Sequence, residues 1–365
     1  MSQDLKKKLI LFGGIGVGLL IVIIVVALLI NGLSGGKKSY ESAESTLKSA
    51  TMEYLKIHDY LLPSQEGEEK IITAEELTEA KFMKTLSEYI PKGSSCKGQV
   101  IVKKVRGQYT YTPYLDCGKD YYSVELYKSI IDTKNIVTTG SGLYQMNGEF
   151  VYRGEKVNNF IKLDNKLWRI VKVTKEKKIM LIFDQFNYKT VWDDRYNKDK
   201  ESNVGINDYL VSRMREYLKN LYNGNELISN NTKSKLTTFP LCYSKRLDSA
   251  NVNDGSIECT NTLSEERIGL LPVYDYINAS LDNTCHSTMD IQCQNYNYLY
   301  EGNKPWWLIT AKAETTHSIY RVYATGAIAV TNASSESVVR PIIYLDSNVM
   351  QLKGDGTIKN PYIIK

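Results

Sequence analysis

The sequence of 365 residues predicts an α+β protein: a single N-terminal transmembrane helix, a small helix-and-hairpin module, then a larger mixed α/β domain with antiparallel sheets. Three observations lead there. An uncharged apolar run occupies residues 9–30. Two cysteines stand symmetrically about a turn. A long series of short, β-like stretches fills residues 145–365.

The run at 9–30, LILFGGIGVGLLIVIIVVALLI, has 17 Leu, Ile, Val or Phe among its 22 residues, and the rest are Gly and Ala. At 1.5 Å per residue it reaches ~33 Å, enough for a hydrocarbon core of ~30 Å. No face of it is polar, which argues against a buried core helix. It exceeds the ~7–15 apolar residues of a signal peptide, and NGLSGGKKS after it offers no Ala-x-Ala cleavage pattern. A retained anchor in the lipid bilayer is the expectation. Lys6, Lys7 and Lys8 before the run, against Lys37 and Lys38 after it, give a mild positive-inside signal. All six cysteines follow the run. The chain is therefore expected in the cell membrane as a single-pass protein, with residues 1–8 cytoplasmic and residues 31–365 extracellular. Gly14 and Gly18 form a Gly-x-x-x-Gly step, an option for helix–helix contact and homo-oligomerisation.

The small module is expected over 39–122. Residues 39–61 carry Tyr40, Ala43, Leu47, Ala50, Tyr54, Leu55, His58 and Leu61 at near-helical spacing. TAEELTEAKFMKTLSEYIP then opens with Thr73 as N-cap and Glu76 three residues on, a capping box, and its helix stops before Pro91. CKGQVIVKKVRGQYTYTPYLDC follows. Val100, Val102 and Val105 precede its Arg106-Gly107 pair, and Tyr109, Tyr111 and Tyr114 come after. Gly107 is free to take a positive φ. In an antiparallel hairpin centred on that pair, Cys96 and Cys117 lie opposite one another at the open end, within reach of a disulfide. Closing such a loop adds ~3 kcal/mol in the chain-entropy model and holds only in an oxidising compartment.

Residues 123–144 are expected to connect this module to the larger domain. In EFVYRGEKVNNFIKLDNKLWRIVKVTKEKKIMLIF, strands alternate between turn signals at Arg153-Gly154, Asp164-Asn165 and Lys175-Glu176-Lys177. GINDYLVSRMREYLKNLYN predicts a helix capped by Asn207 or Asp208. EERIGLLPVYDYINAS gives a strand entering a short helix, and KPWWLITAK, SIYRVYATGAIAV and VVRPIIYLDSNV supply further strands.

Two resemblances follow from these stretches. The order of apolar run, amphipathic helix, hairpin and disulfide over 9–122 resembles the layout of pilins and pseudopilins of Gram-positive secretion and filament systems. Gly13-Gly14-Ile15, however, lacks the Glu that follows a prepilin cleavage site. NFIKLDNKLWRIVKV, IGLLPVYDYI, WWLITA, VVRPIIYLDS and GDGTIKNPYII, in that order over 145–365, resemble a domain of low-GC Gram-positive surface proteins in the C-type-lectin and formylglycine-generating-enzyme fold group. That resemblance implies a mixed α/β fold with twisted antiparallel sheets and long loops.

The chemistry-bearing patterns are sparse. Lys and Arg total 46 against 41 Asp and Glu, so no electrostatic reason to expect nucleic acid arises. There are three histidines, no Gly-x-Ser-x-Gly, no His-Glu-x-x-His and no phosphate-binding Gly loop. No Cys-x-x-Cys pair supports a metal at Cys285, His286 and Cys293, and neighbour pairing of Cys242 with Cys259 and Cys285 with Cys293 is expected. Neither a catalytic residue nor a cofactor is assigned. QNYNYLYEGNKPWW at 294–307 mixes Tyr296, Tyr298, Tyr300, Trp306 and Trp307 with Asn, Gln and Gly, the composition of a recognition loop. Against that, WWLIT has the look of a strand start, which takes at least one tryptophan inward. The expectation is a membrane-anchored bacterial surface protein, not an enzyme, whose lectin-like domain binds an extracellular glycan, peptide or protein for adhesion or ligand recognition. A pilin-like filament or secretion subunit is the first alternative, and an enzyme on the formylglycine-generating scaffold the second.

Overall fold

The computed structural model describes residues 38–92, 94–105, 107–118, 120–300 and 304–365. It corrects the expected fold class. The described residues are mostly β-sheet, with 21 strands against six α-helices. Among them no helix is long and apolar enough to cross a membrane. The longest, Tyr40–Ile57, carries Glu41, Glu44, Lys48, Glu53 and Lys56, charges that a hydrocarbon core rejects. The run at 9–30, with Gly14 and Gly18 inside it, lies outside the described residues. The single-pass placement, with 1–8 on one side and 31–365 on the other, thus has no helix of the structure to rest on.

The chain divides into two compact units at Val124/Glu125. In the first, Ser39 caps the helix Tyr40–Ile57 by accepting the Ser42 amide at 3.1 Å. Its buried Ala43, Leu47, Ala50 and Leu55 share a core with a three-stranded antiparallel sheet, ordered Glu69–Thr73, Lys97–Val105, Gln108–Asp116. The hairpin has the expected register, from Val105 opposite Gln108 to Lys97 opposite Asp116. Gly107 sits at φ 74°, and the Cys96–Cys117 disulfide closes the open end. The helix expected from Thr73 to Pro91 is shorter. Thr73 does cap it, but it ends at Glu79, and Lys81 at φ 63° turns the chain so that Phe82 and Met83 return to the core. Glu69–Thr73, which sequence alone does not mark as a strand, forms because Ile72 fills that core while Ile71 faces outward.

The second unit contains the expected strand series. Asp164 and Asn165, both at positive φ, make the tight hairpin joining Phe160–Leu163 to Lys166–Val173. An eight-stranded sheet runs through Leu236–Thr237, Pro341–Leu345, Ile179–Phe183, Lys166–Val173, Glu149–Arg153 and Gly142–Met146, with Gly269–Leu270 paired to Pro341–Leu345 and Phe160–Leu163 to Lys166–Val173 off that path. A five-stranded sheet contains Lys189–Val191, Glu336–Val338, Trp306–Ala311, Ser318–Val322 and Ile328–Asn332. One continuous hydrophobic core holds both, with all four tryptophans fully buried. The stretch expected as a connector belongs to this unit from Glu125 onward: its short helix Leu126–Ile130 buries both end residues, and Gly142–Met146 is an outer strand. The helix expected from 207 begins later, at Arg213–Asn223, where Ser212 caps it. Asn207 is instead buried, its amide donating to the carbonyls of Lys312, Thr315 and Ser318, while Asp208 caps a single 3-10 turn.

Candidate functional site

Three of the five aromatic residues chosen from sequence, Tyr298, Trp306 and Trp307, are buried and not free to meet a ligand. Trp306 and Trp307 open the central strand of the five-stranded sheet and point to opposite faces of it. Both faces are covered, so both rings are fully buried. Trp307 Nε1 donates to the Thr190 carbonyl at 3.0 Å, and Trp306 lies under the Arg340 guanidinium and beside Tyr276. Tyr298 is buried too, against Arg169. Tyr300 is half-buried, with its hydroxyl donating to the Ala324 carbonyl, and Tyr296 alone stands exposed. The remaining disulfides pair as expected, Cys242–Cys259 and Cys285–Cys293, and among the described residues no cysteine is free.

A different site emerges on one face of the eight-stranded sheet. Along Lys166–Val173, simple alternation would put Lys172 on the same face as Trp168 and Ile170. The register shifts by one residue between Ile170, opposite Leu181, and Lys172, opposite Met180. That bulge turns Lys172 to the other face. There it shares a row with Val151 and with Tyr344, which pair with Lys172 and Met180 respectively. Glu149, two residues from Val151, lies on the same face. The helix Val273–Ala279, entered from Pro272, brings Tyr274, Asp275 and Asn278 over this row.

Together they line a cleft of about 540 Å³. Its floor is charged. Lys172 Nζ lies 3.1 Å from Glu149 Oε2 and 3.1 Å from Asp275 Oδ1. Burial works against the Lys172 charge, but Asp275 foremost, with Tyr274, Tyr344 and Glu149, outweighs it and holds the ammonium well above the usual lysine range. Burial raises the Asp275 carboxyl, Lys172 pulls it back, and Glu149 adds to the rise. One cation thus answers two carboxylates, and Asp275 Oδ2 is buried without a hydrogen-bond partner. Such an atom lacks the donor that buried oxygens normally have. Phe239 stacks on Tyr344 with ring centres 4.2 Å apart, Tyr274 lies 5.1 Å from the Lys172 ammonium, and the Cys242–Cys259 disulfide stiffens one wall. Asn278, half-buried at the rim, donates to the Asn253 carbonyl.

Behind the cleft sits a second ion pair. Arg246 and Glu258 are both fully buried and 3.0 Å apart, and the guanidinium also donates to the Ala250 and Val252 carbonyls and to Asn253 Oδ1. None of Glu149, Lys172 and Asp275 is marked by sequence pattern, because each looks like an ordinary strand or helix residue. The one local sign is Lys172 between two valines in the strand KLWRIVKV.

Compared with protein-family models, with curated proteins and with solved structures, the chain matches none of them.

Proposed function

We propose that residues 125–365 form a lectin-like recognition module, working in an oxidising compartment, that takes a hydroxyl-bearing polar ligand, a saccharide foremost, in the cleft above Lys172. The observation that carries this reading is the Lys172 ammonium held between Glu149 and Asp275 on an aromatic-walled floor. Carboxylates and an ammonium in fixed positions accept from and donate to vicinal hydroxyls, while tyrosine and phenylalanine faces suit the apolar faces of a sugar ring. The volume lies within the range typical of small-ligand sites, roughly 300–1,000 Å³. Asp275 Oδ2 has a vacancy that a ligand hydroxyl would fill. Three disulfides support the oxidising setting.

The test is retention of the whole protein on a glycan array, repeated with Glu149→Gln and Lys172→Met. Retention lost in both variants supports the reading. Absence of retention, or retention indifferent to both substitutions, sinks it, and turnover of a retained glycan would replace recognition by catalysis.

A further inference from the structure

Large exposed apolar side chains gather where two loops of the second unit meet. Leu247 and Val252 belong to one loop and Met289, Ile291 and Tyr296 to the other, and Met289 is 70% exposed. The loops are tied to each other. Asn253 Nδ2 donates to the His286 carbonyl at 2.6 Å, and Thr288 Oγ1 donates to the Asp248 carbonyl at 3.2 Å. Each loop is also fixed internally. Arg246 holds the Ala250 and Val252 carbonyls, the Cys285–Cys293 disulfide closes the second loop, and Asp290 Oδ2 accepts from the His286 and Ser287 amides. These ties hold the backbone that presents the patch in place. Persistent apolar exposure on a preorganised surface is a mark of a docking site.

The charge around the patch specifies the occupant. Residues 247–300 hold eight Asp and Glu against one Arg and no Lys. Five of those acids lie outside what a partner could use: Asp248, Glu258, Glu266 and Asp275 are paired with Lys312, Arg246, Arg215 and Lys172, and Glu265 has no link to these loops. Asp254, Asp282 and Asp290 accept instead from neutral donors: the Ser256 amide, Thr284 with Asn295, and the His286 and Ser287 amides. These three frame the patch. Asp254 follows the tie residue Asn253, Asp290 stands between Met289 and Ile291, and Asp282 is bonded to Asn295 beside Tyr296.

We propose that this surface docks a cationic amphipathic segment of a partner protein, its apolar side chains against Leu247, Val252, Met289 and Ile291 and its Lys or Arg groups against Asp254, Asp282 and Asp290. Charges of that sign at a rim speed encounter and reject acidic competitors. Asp254 also lines the cleft, but Leu247, Val252, Met289 and Ile291 do not, and the site does not rest on a ligand there.

The whole protein is titrated into a fluorescein-labelled amphipathic Leu/Lys helix and, in parallel, into its Leu/Glu counterpart, and anisotropy is read. Binding of the Leu/Lys probe alone, weakened by salt, is expected. Met289→Ser with Ile291→Ser should weaken it by about tenfold or more, as loss of central anchors does. Val252→Ser, on the other loop, should weaken it less, and Tyr60→Ser, at an exposed aromatic of the first unit, should leave it unchanged. The proposal is overturned if the Leu/Lys probe does not bind, if both probes bind alike, or if the loop variants bind like wild type. It is overturned equally if Met289→Ser with Ile291→Ser dissolves a dimer of the chain, since the occupant is then a second copy.

Discussion

Two of the buried ion clusters of the second unit are built from the same kinds of groups and put to different ends. Arg246 and Glu258 are sealed on every side, and the guanidinium also donates to the Ala250 and Val252 carbonyls and to Asn253 Oδ1. Lys172 and Asp275 are almost as buried, but their third member, Glu149, leaves 28% of its side chain open, and the cluster floors a cleft. The sealed pair fixes the 246–253 loop that frames both the cleft rim and the docking patch. Each cluster keeps a buried carboxylate oxygen without a donor, Glu258 Oε2 in the sealed pair and Asp275 Oδ2 in the open one. What separates the two is access: a carboxylate of the open cluster reaches the cleft, and neither member of the sealed pair is exposed.

That contrast can be broken by removing one cation at a time. Arg246→Met leaves Glu258 buried without its counter-charge and frees the loop carbonyls, so a loss of about 3–5 kcal/mol in urea unfolding is expected. Lys172→Met should cost less, about 2–3 kcal/mol, since Asp275 can protonate and Glu149 can turn to solvent. A larger loss for Lys172→Met than for Arg246→Met would reverse the assignment of the two clusters. Glu149→Gln keeps shape and size at a half-open position, and its stability change should stay under about 0.5 kcal/mol. Its effect should appear instead on glycan retention, as a loss of about tenfold, the size of one hydrogen bond to a charged group.

The smallest effect is on pH dependence. Burial raises the carboxyls of both Asp275 and Glu258 above their ordinary ranges. The folded state therefore holds these protons more tightly than the unfolded state. The resulting stability is present below the unfolded values, about 3.9 for Asp and 4.3 for Glu, and is lost as pH rises through the folded ones. Asp275→Asn and Glu258→Gln should each remove about 1 kcal/mol or less of that slope in unfolding curves taken across the acid range. A saturating cleft ligand should shift the Asp275 component and leave that of Glu258 in place.

Much of the scaffold was legible from short-range signals. The symmetry of Cys96 and Cys117 about Gly107 gave register and disulfide together, since in an antiparallel hairpin the turn determines every facing pair. Asp164-Asn165 marked its hairpin because two successive positive φ angles suit few residue types. The cap at Thr73 was right and the length of its helix was not, because the return of Phe82 and Met83 to the core is a tertiary preference. The choice of Trp306 and Trp307 as ligand contacts failed for a related reason. Composition records that aromatic and polar residues are neighbours in sequence, but not whether a sheet is covered on both faces.

By itself, then, the sequence determined the register and disulfide of the Cys96–Cys117 hairpin, the Asp164-Asn165 turn and the cap at Thr73, all of which depend on residues close along the chain. Only the tertiary structure decided the cleft. Glu149, Lys172 and Asp275 come from two strands and a helix spread over more than a hundred positions, and a one-residue bulge at Val171 selects the face on which the lysine emerges. Local periodicity carries no record of such a shift, because it arises from how two strands pair.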